Sequence, residues 1–307
     1  YVDANACLAC PAGFACDGAD AMYFVADKSE LLTMLSAWQE SATSAKAQYG
    51  RLPVWDTSKV TDMEELFYED YTFNENIGGW DTSQVTTLFN TFSRAYAFDA
   101  DIGAWDTSKV TSMYAIFRDA TAFDQAIGAW DTSMVTSMSS AFSRAYAFDQ
   151  AIGAWDTSKV TSMSSAFDGA TAFDQAIGAW DTSKVTSMSS AFAYAAAFNQ
   201  DIGAWDTSKV TSMYGAFYDA TAFNQPIGDW DVSAVTTVVG MFYNADAFNQ
   251  DIGAWDVSSV TYMYRTFEGA TAFDQNISAW NTSKVASMEN IFLLSGLQSC
   301  PSWAVDK

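Results

Sequence analysis

The sequence predicts an α/β solenoid of about ten turns, each with a short parallel strand and a short helix. Two observations predict this class. Tryptophan recurs every 25 residues from Trp55 to Trp280, with no residue inserted or deleted between copies. A fixed period of about 20 to 50 residues is typical of stacked repeats, which bury their apolar faces only against their neighbours. Within each copy, apolar spacing typical of a helix alternates with a short extended segment.

The copy that begins at Trp155 shows both predicted elements. Val160, Met163 and Phe167 recur with the spacing of one helix face, and Asp156 stands before them as a helix cap. After a turn, residues 177–181 contain the next large apolar side chains and predict a strand. Stacked copies would pair these strands in parallel, about 4.8 Å apart, into a rod about 45 Å long.

The pattern divides the chain into four parts. Residues 1–26 are a cysteine-rich segment, and residues 27–54 are a capping helix with a lead-in. The helix is predicted because Asp27 and Glu30 fit a capping box ahead of an apolar run. The repeats occupy 55–295 and a tail occupies 296–307. The lead-in would cover the exposed first repeat, as the ends of repeat arrays require.

Composition excludes several classes of function. The chain carries 14 basic and 37 acidic residues, a net charge of −23, and no histidine. Nucleic acid and anionic membranes require clustered basic residues, so neither is a predicted partner. No apolar run is long enough to span a bilayer. Near-identical copies also argue against an enzyme, because an active site needs a unique cluster of residues.

Four cysteines, at both ends of the chain, predict disulfides in an oxidising compartment. Cys7, Cys10 and Cys16 lie close together beside proline and glycine, and Cys300 lies in the tail. Zinc is the alternative, on the weaker signal of a single CxxC. A rod would hold Cys300 too far from the others for a bond within the chain. We therefore expect Cys300 to bond another module or another copy, within a larger assembly.

A tryptophan ladder has two interpretations. The indoles pack in the core, or they form an exposed aromatic strip for glycans or a partner chain. The residues are Trp55, Trp80, Trp105, Trp130, Trp155, Trp180, Trp205, Trp230, Trp255 and Trp280.

An aspartate follows each of the first nine tryptophans, and we interpret this ladder as helix caps. Each carboxylate would accept amide hydrogen bonds at a helix start. Calcium is the alternative ligand, although no EF-hand or glycine-rich calcium motif is present, so no cofactor is predicted. The residues are Asp56, Asp81, Asp106, Asp131, Asp156, Asp181, Asp206, Asp231 and Asp256.

Other positions also carry information. A second ladder mixes Asn and Asp, as at Asp174 and Asn199, which favours backbone hydrogen bonding over charge. Asn276 and Asn281 are N-glycosylation sequons in form. Exposed Tyr and Arg side chains on the predicted helices, such as Tyr218 and Arg265, make that side one candidate partner-binding face.

The stretch "MFYNADAFNQDIGAWDVSSVTYM" at 241–263 resembles the hallmark of BspA-like leucine-rich-repeat surface proteins, in the 25-residue variety known from mycoplasma lipoproteins and marine algae. The likeness covers about 55–295. It implies a leucine-rich-repeat-like fold, an extracellular or cell-surface location, and an adhesion or protein-interaction role. The opening "CLACPAGFAC" is similar to cysteine-rich extracellular modules.

From these features we expect a non-enzymatic structural scaffold that binds other extracellular proteins or copies of itself. A carbohydrate-binding protein that uses its Trp and Tyr rows is the alternative.

Overall fold

The computed structural model describes residues 14–16 and 21–305, and in it the 25-residue copies stack in register. The copies contact one another through single parallel β-bridges, from Asp62↔Thr87 to Tyr262↔Ser287. Ahead of the stack, β1 (Phe14–Cys16) and β2 (Ala21–Tyr23) pair antiparallel. Helices α1 (Lys28–Glu40) and α2 (Ala42–Tyr49) follow, then a 3₁₀ turn at Leu52–Val54.

The predicted α/β solenoid with leucine-rich-repeat-like turns is wrong. From 55 to 301 the structure has no helix and no strand beyond the single bridges. In place of a helix, each copy forms a ribbon of successive turns, 162–170 in the copy at Trp155. We call these nine residues and their equivalents in other copies the turn ribbon. Within it, Ala166 N–H bonds to the Met163 carbonyl, three residues back, at 3.0 Å.

Backbone conformation explains why the turn ribbon is not helical. Ser165 has φ 54° and Gly169 has φ 73°, values outside the right-handed helical region. The Phe167 N–H therefore donates to Ala191 of the next copy, at 2.8 Å, and not to a carbonyl four residues back. Apolar residues three and four apart still share one side of the ribbon, which is why their spacing resembled a helix face.

The strand predicted at 177–181 is also wrong. The Trp180 N–H donates to the Ile177 carbonyl at 3.1 Å, which closes a turn at these residues. The parallel contact between copies lies instead at the start of the turn ribbon, where Ser162 bridges Ser187.

The core runs the length of the stack and is rich in aromatic rings. Phe167 is buried and stacks on Phe173 of its own copy, with ring centroids 4.1 Å apart. It also stacks on Phe192 of the next copy at 5.5 Å. Because each ring is covered by its counterpart one copy later, the core has no boundary between repeats.

The amino-terminal end of the stack is covered by helix, as predicted. The Glu30 N–H donates to Asp27 at 3.0 Å, and Ala26 N–H donates to the Glu30 carboxylate at 2.7 Å, which confirms the capping box. Leu31, Met34 and Leu35 of α1 are buried against the first copy. The single predicted helix is two helices, because Ser41 ends α1 and caps α2.

The carboxy-terminal tail continues the tryptophan stack. α3 (Ser302–Val305) places Trp303 over Trp280, with centroids 6.1 Å apart. The Trp303 indole N–H donates to the Ile277 carbonyl at 3.1 Å. The pattern had not indicated Trp303 as part of the ladder, because it stands two residues before the expected position.

Candidate functional site

The ladder tryptophans are buried, between 1% and 5% exposed. Trp130 and Trp155 stack with centroids 6.4 Å apart and planes 1° apart. The Trp155 indole N–H donates to the Ile127 carbonyl, 28 residues earlier, at 3.1 Å. Burial of an indole is favourable when its N–H finds an acceptor, and here an earlier turn of the stack supplies that acceptor. The indoles are thus core residues and form no exposed strip.

Trp55 is the exception in this ladder. Its side chain is 1% exposed, yet its indole nitrogen has no hydrogen-bond partner. No repeat precedes it, and Trp38 of α1 packs edge-on against its ring at 6.0 Å instead. The helical cap therefore replaces the missing copy's apolar contacts but not its carbonyl.

The aspartate ladder caps turns, and the predicted helix caps are wrong because no helix follows. The Asp156 carboxylate accepts the Ser158 backbone N–H at 2.9 Å. The hydroxyl and the backbone N–H of Ser158 hold the pKa of Asp156 below its ordinary value. Corresponding serines lower the pKa of further ladder residues: Asp106, Asp181, Asp206 and Asp256. Asn281 accepts the same bond from Ser283 at 3.2 Å.

Calcium remains only the untested alternative ligand of this ladder. Among the described residues, no group of three or more His, Cys, Asp or Glu side chains is placed to hold a metal ion. Each ladder carboxylate instead binds its own turn.

The second ladder bonds backbone, as its mixture of Asn and Asp indicates. The Asp149 N–H donates to the Asp124 side chain at 2.9 Å, and Asn224 N–H donates to Asn199 at the same distance. The following glutamine adds a bond, since Gln150 also donates to Asp124. Each of these side chains therefore links two consecutive copies.

Two structural ladders were missed by the sequence reasoning. A Thr follows seven of the nine ladder aspartates and is buried, and Thr157 donates its hydroxyl to the Asp181 carbonyl at 3.0 Å. A Gly follows the repeat isoleucine in all copies but the one with Ser278, and it lies against the next copy: a Cβ at Gly153 would collide with the Ala176 carbonyl. The recurrence of these residues in most copies was the available signal.

The remaining predicted site residues lie at the ends. Cys7 and Cys10 lie outside the described residues, as does the side chain of Cys16. The Cys300 thiol is exposed and unpaired. Asn276 and Asn281 are both exposed, and the Ser278 hydroxyl donates to the Asn276 side chain at 2.7 Å.

The exposed side of the turn ribbon is where the copies differ most, and we call it the ribbon face. In its amino-terminal half, Asp119 contacts three arginines. Arg144 donates two hydrogen bonds to its carboxylate, while Arg118 and Arg94 lie 3.6 and 3.9 Å away. Burial raises the pKa of the nearby Asp168 carboxyl, against the opposing effect of Arg144.

In the carboxy-terminal half of the ribbon face, tyrosines replace this ionic cluster. Tyr194 packs at a tilt of 49° against Tyr218, with ring centroids 5.3 Å apart, and Tyr218 stacks on Tyr243 at 4.3 Å. The Arg265 guanidinium covers Tyr243 at 5.0 Å and bonds Glu268 at 2.8 and 3.2 Å. Burial between its neighbours raises the pKa of Tyr218 well above its ordinary value. We call these four residues, from Tyr194 to Arg265, the tyrosine column.

These features define a repeat protein: a stack of 25-residue turns with a uniform core and a variable surface. The chain belongs to the family described as "Mycoplasma protein of unknown function, DUF285", whose model matches residues 33–153, 136–247 and 224–306. No curated protein matches. Within the described residues, none of the helices has the length and apolarity needed to cross a bilayer.

Proposed function

We propose that this chain is a non-enzymatic, extracellular or cell-surface scaffold that binds other proteins through its ribbon face. The observation that carries the proposal is a difference between the repeating and the changing positions of each copy. Positions that repeat are buried, bond a neighbouring copy or cap a turn, whereas the exposed ribbon positions change. Ser189, for example, becomes the half-exposed Tyr214 one copy later.

The chemistry of the tyrosine column supports a protein partner. Tyr and Arg are enriched among residues that dominate protein–protein binding energy. Tyr194 and Tyr214 are each half exposed, and Tyr262 and Tyr264 extend the aromatic surface. The resemblance to BspA-like surface proteins supports an adhesive role at the cell surface. The chain's charge of −23 favours basic partners.

The carbohydrate alternative has less support. Sugar rings stack on the open faces of aromatic side chains, yet the Trp rings are buried and Tyr218 and Tyr243 cover each other's faces.

Capture from an extracellular protein fraction tests the proposal when matched variants are compared. We expect Tyr243→Ser with Arg265→Ser to lose specific partners that the unmodified chain retains. The control is Tyr71→Ser with Tyr96→Ser, a stacked and exposed pair near the other end. Identical protein sets bound by both variants and by the unmodified chain would contradict a role for the tyrosine column.

A further inference from the structure

Within the turn ribbon, backbone hydrogen bonds between copies run in one direction, whereas outside it the Thr161 N–H donates back to the Thr136 carbonyl of the preceding copy at 2.9 Å. Four N–H groups on alternate residues of one turn ribbon donate to four carbonyls of the following ribbon. At the last interface these bonds measure 2.8–3.2 Å. The donors there are Met263, Arg265, Phe267 and Gly269, and the acceptors are Ser287, Glu289, Ile291 and Leu293.

The final turn ribbon carries the same four donors with no acceptor among the described residues. We call this row the amide edge: Met288, Asn290, Phe292 and Leu294. Its backbone is already in the bonding shape. Asn290 has φ 56° and Leu294 has φ 60°, close to the 58° of Arg265 one copy earlier. An array of unpaired, preformed donors is a template for adding another segment.

The amide edge is accessible. The tail covers the tryptophan side of the last copy through Trp303, but Leu293 is 47% and Leu294 is 76% exposed. Leu294 is thus a large apolar side chain held in solvent beside unpaired amides.

The opposite end of the stack is different. The matching carbonyls of the first turn ribbon accept no N–H from the described part of the chain, but α1 lies across that end. Lys28 pairs with Asp62 at 3.0 Å near the start of α1, and Gln39 bonds Asp70 near its end. Leu66 between them is buried. A second copy therefore cannot offer this carbonyl row while its own α1 stays in place.

Two amide edges cannot pair with each other, because donors would face donors. The complement must instead present carbonyls on alternate residues, as the turn ribbon does at each interface within this stack.

We propose that the amide edge binds a repeat of this same 25-residue class in a second protein chain, added end-on as the next turn. The proposal rests on the protein-binding function above and names a partner class for it, at a surface separate from the ribbon face. The four backbone bonds set the register, and Leu293 and Leu294 become covered by the added turn.

Amide hydrogen exchange on the full chain tests this proposal. The probe is a synthetic peptide of residues 180–204, and its control is a scrambled peptide of the same composition. We expect the repeat peptide to slow exchange at Asn290, Phe292 and Leu294, with no change from the scrambled one. Equal effects of the two peptides, or no protection at saturating peptide, would overturn the proposal.

A substitution that places a charge at the amide edge provides the matched variant. Leu294→Asp fits the positive φ of this position, so it places a carboxylate there without backbone strain. We expect peptide affinity to fall about tenfold or more. The control is Leu32→Asp, on α1 at the other end and 40% exposed, with affinity retained. An equal fall in both variants would contradict binding at the edge.

Sedimentation of the full chain tests whether a second copy of this chain occupies the amide edge. We expect a monomer, since α1 covers the carbonyl row. Self-association that Leu294→Asp abolishes would overturn the choice of partner in favour of a second copy. If peptide binding fails while the tyrosine-column variant still loses its partners, only this inference falls and the proposed function stands.

Discussion

The indole N–H of Trp180 donates to the carbonyl oxygen of Ile152, 28 residues earlier, at 3.1 Å. The same bond recurs from Trp80 to Trp280. We expect Trp180→Phe to destabilise the fold by about 2 to 4 kcal/mol, since it leaves a buried carbonyl unpaired and a cavity beside it. Urea denaturation followed by near-UV circular dichroism measures the loss.

Trp55 supplies the matched control for this substitution. It is equally buried, but its indole nitrogen has no acceptor. We expect Trp55→Phe to cost less than Trp180→Phe by about 1 kcal/mol, the typical value of one hydrogen bond. Equal losses would show that the indole bond does not contribute to holding the copies together.

Gly153 lies where the next copy comes closest. A Cβ there would collide with the Ala176 carbonyl, a backbone atom that has little freedom to move. At the equivalent position nearest the carboxy terminus the residue is Ser278, which is exposed. We expect Gly153→Ser to destabilise by about 1 to 3 kcal/mol, as other overpacked sites do.

Ser278→Gly is the reverse substitution at the uncrowded position. We expect it to change the free energy of unfolding by less than about 1 kcal/mol. Thermal unfolding of both variants compares them directly, and a Gly153→Ser protein as stable as the unmodified chain would refute the close contact.

The aspartate ladder makes stability depend on pH. Serine hydroxyls and amides lower the pKa of Asp106, Asp156, Asp181 and Asp206 in the folded chain. Stability from these groups is therefore complete above their unfolded pKa of about 3.9 and is lost as pH falls through the lower folded values. Replacing all four by Asn, as found naturally at Asn281, should flatten the fall in melting temperature below about pH 4.

Serine substitutions test the cause of this pH dependence without changing charge. Removing the hydroxyls of Ser108, Ser158, Ser183 and Ser208 should move the acid transition to higher pH, because the folded pKa values rise toward ordinary ones. An unchanged transition would mean that the hydroxyls do not stabilise the carboxylates.

The identity of a residue predicted the structure reliably wherever the chemistry of one side chain determines the local structure. The period of Trp55 to Trp280 predicted the stack, and the capping box at Asp27 and Glu30 predicted the start of α1. The mixture of Asp174 and Asn199 predicted backbone bonding. In each case the chemistry of the side chain allows few alternatives.

The local structure of each copy, a ribbon of turns in place of the expected helix and strand, was not predictable in this way. Val160, Met163 and Phe167 have helical spacing, but a ribbon of turns brings the same residues to one side. The decisive features are positive φ angles, including those of Ser165 and Ser190, which are imposed by bonds to the neighbouring copy. A contact 24 residues away leaves no local signal in the sequence.

Site-resolved hydrogen exchange on the unliganded chain tests the central claim, that copies are joined by alternate amides of the turn ribbon. Met188, Ser190, Phe192 and Tyr194 donate to the next copy at 2.6–3.0 Å. We predict strong protection at these four amides and fast exchange at Asn290, Phe292 and Leu294, whose amides have no acceptor among the described residues. Equal protection of both sets, as a local helix in every copy would give, would contradict the account.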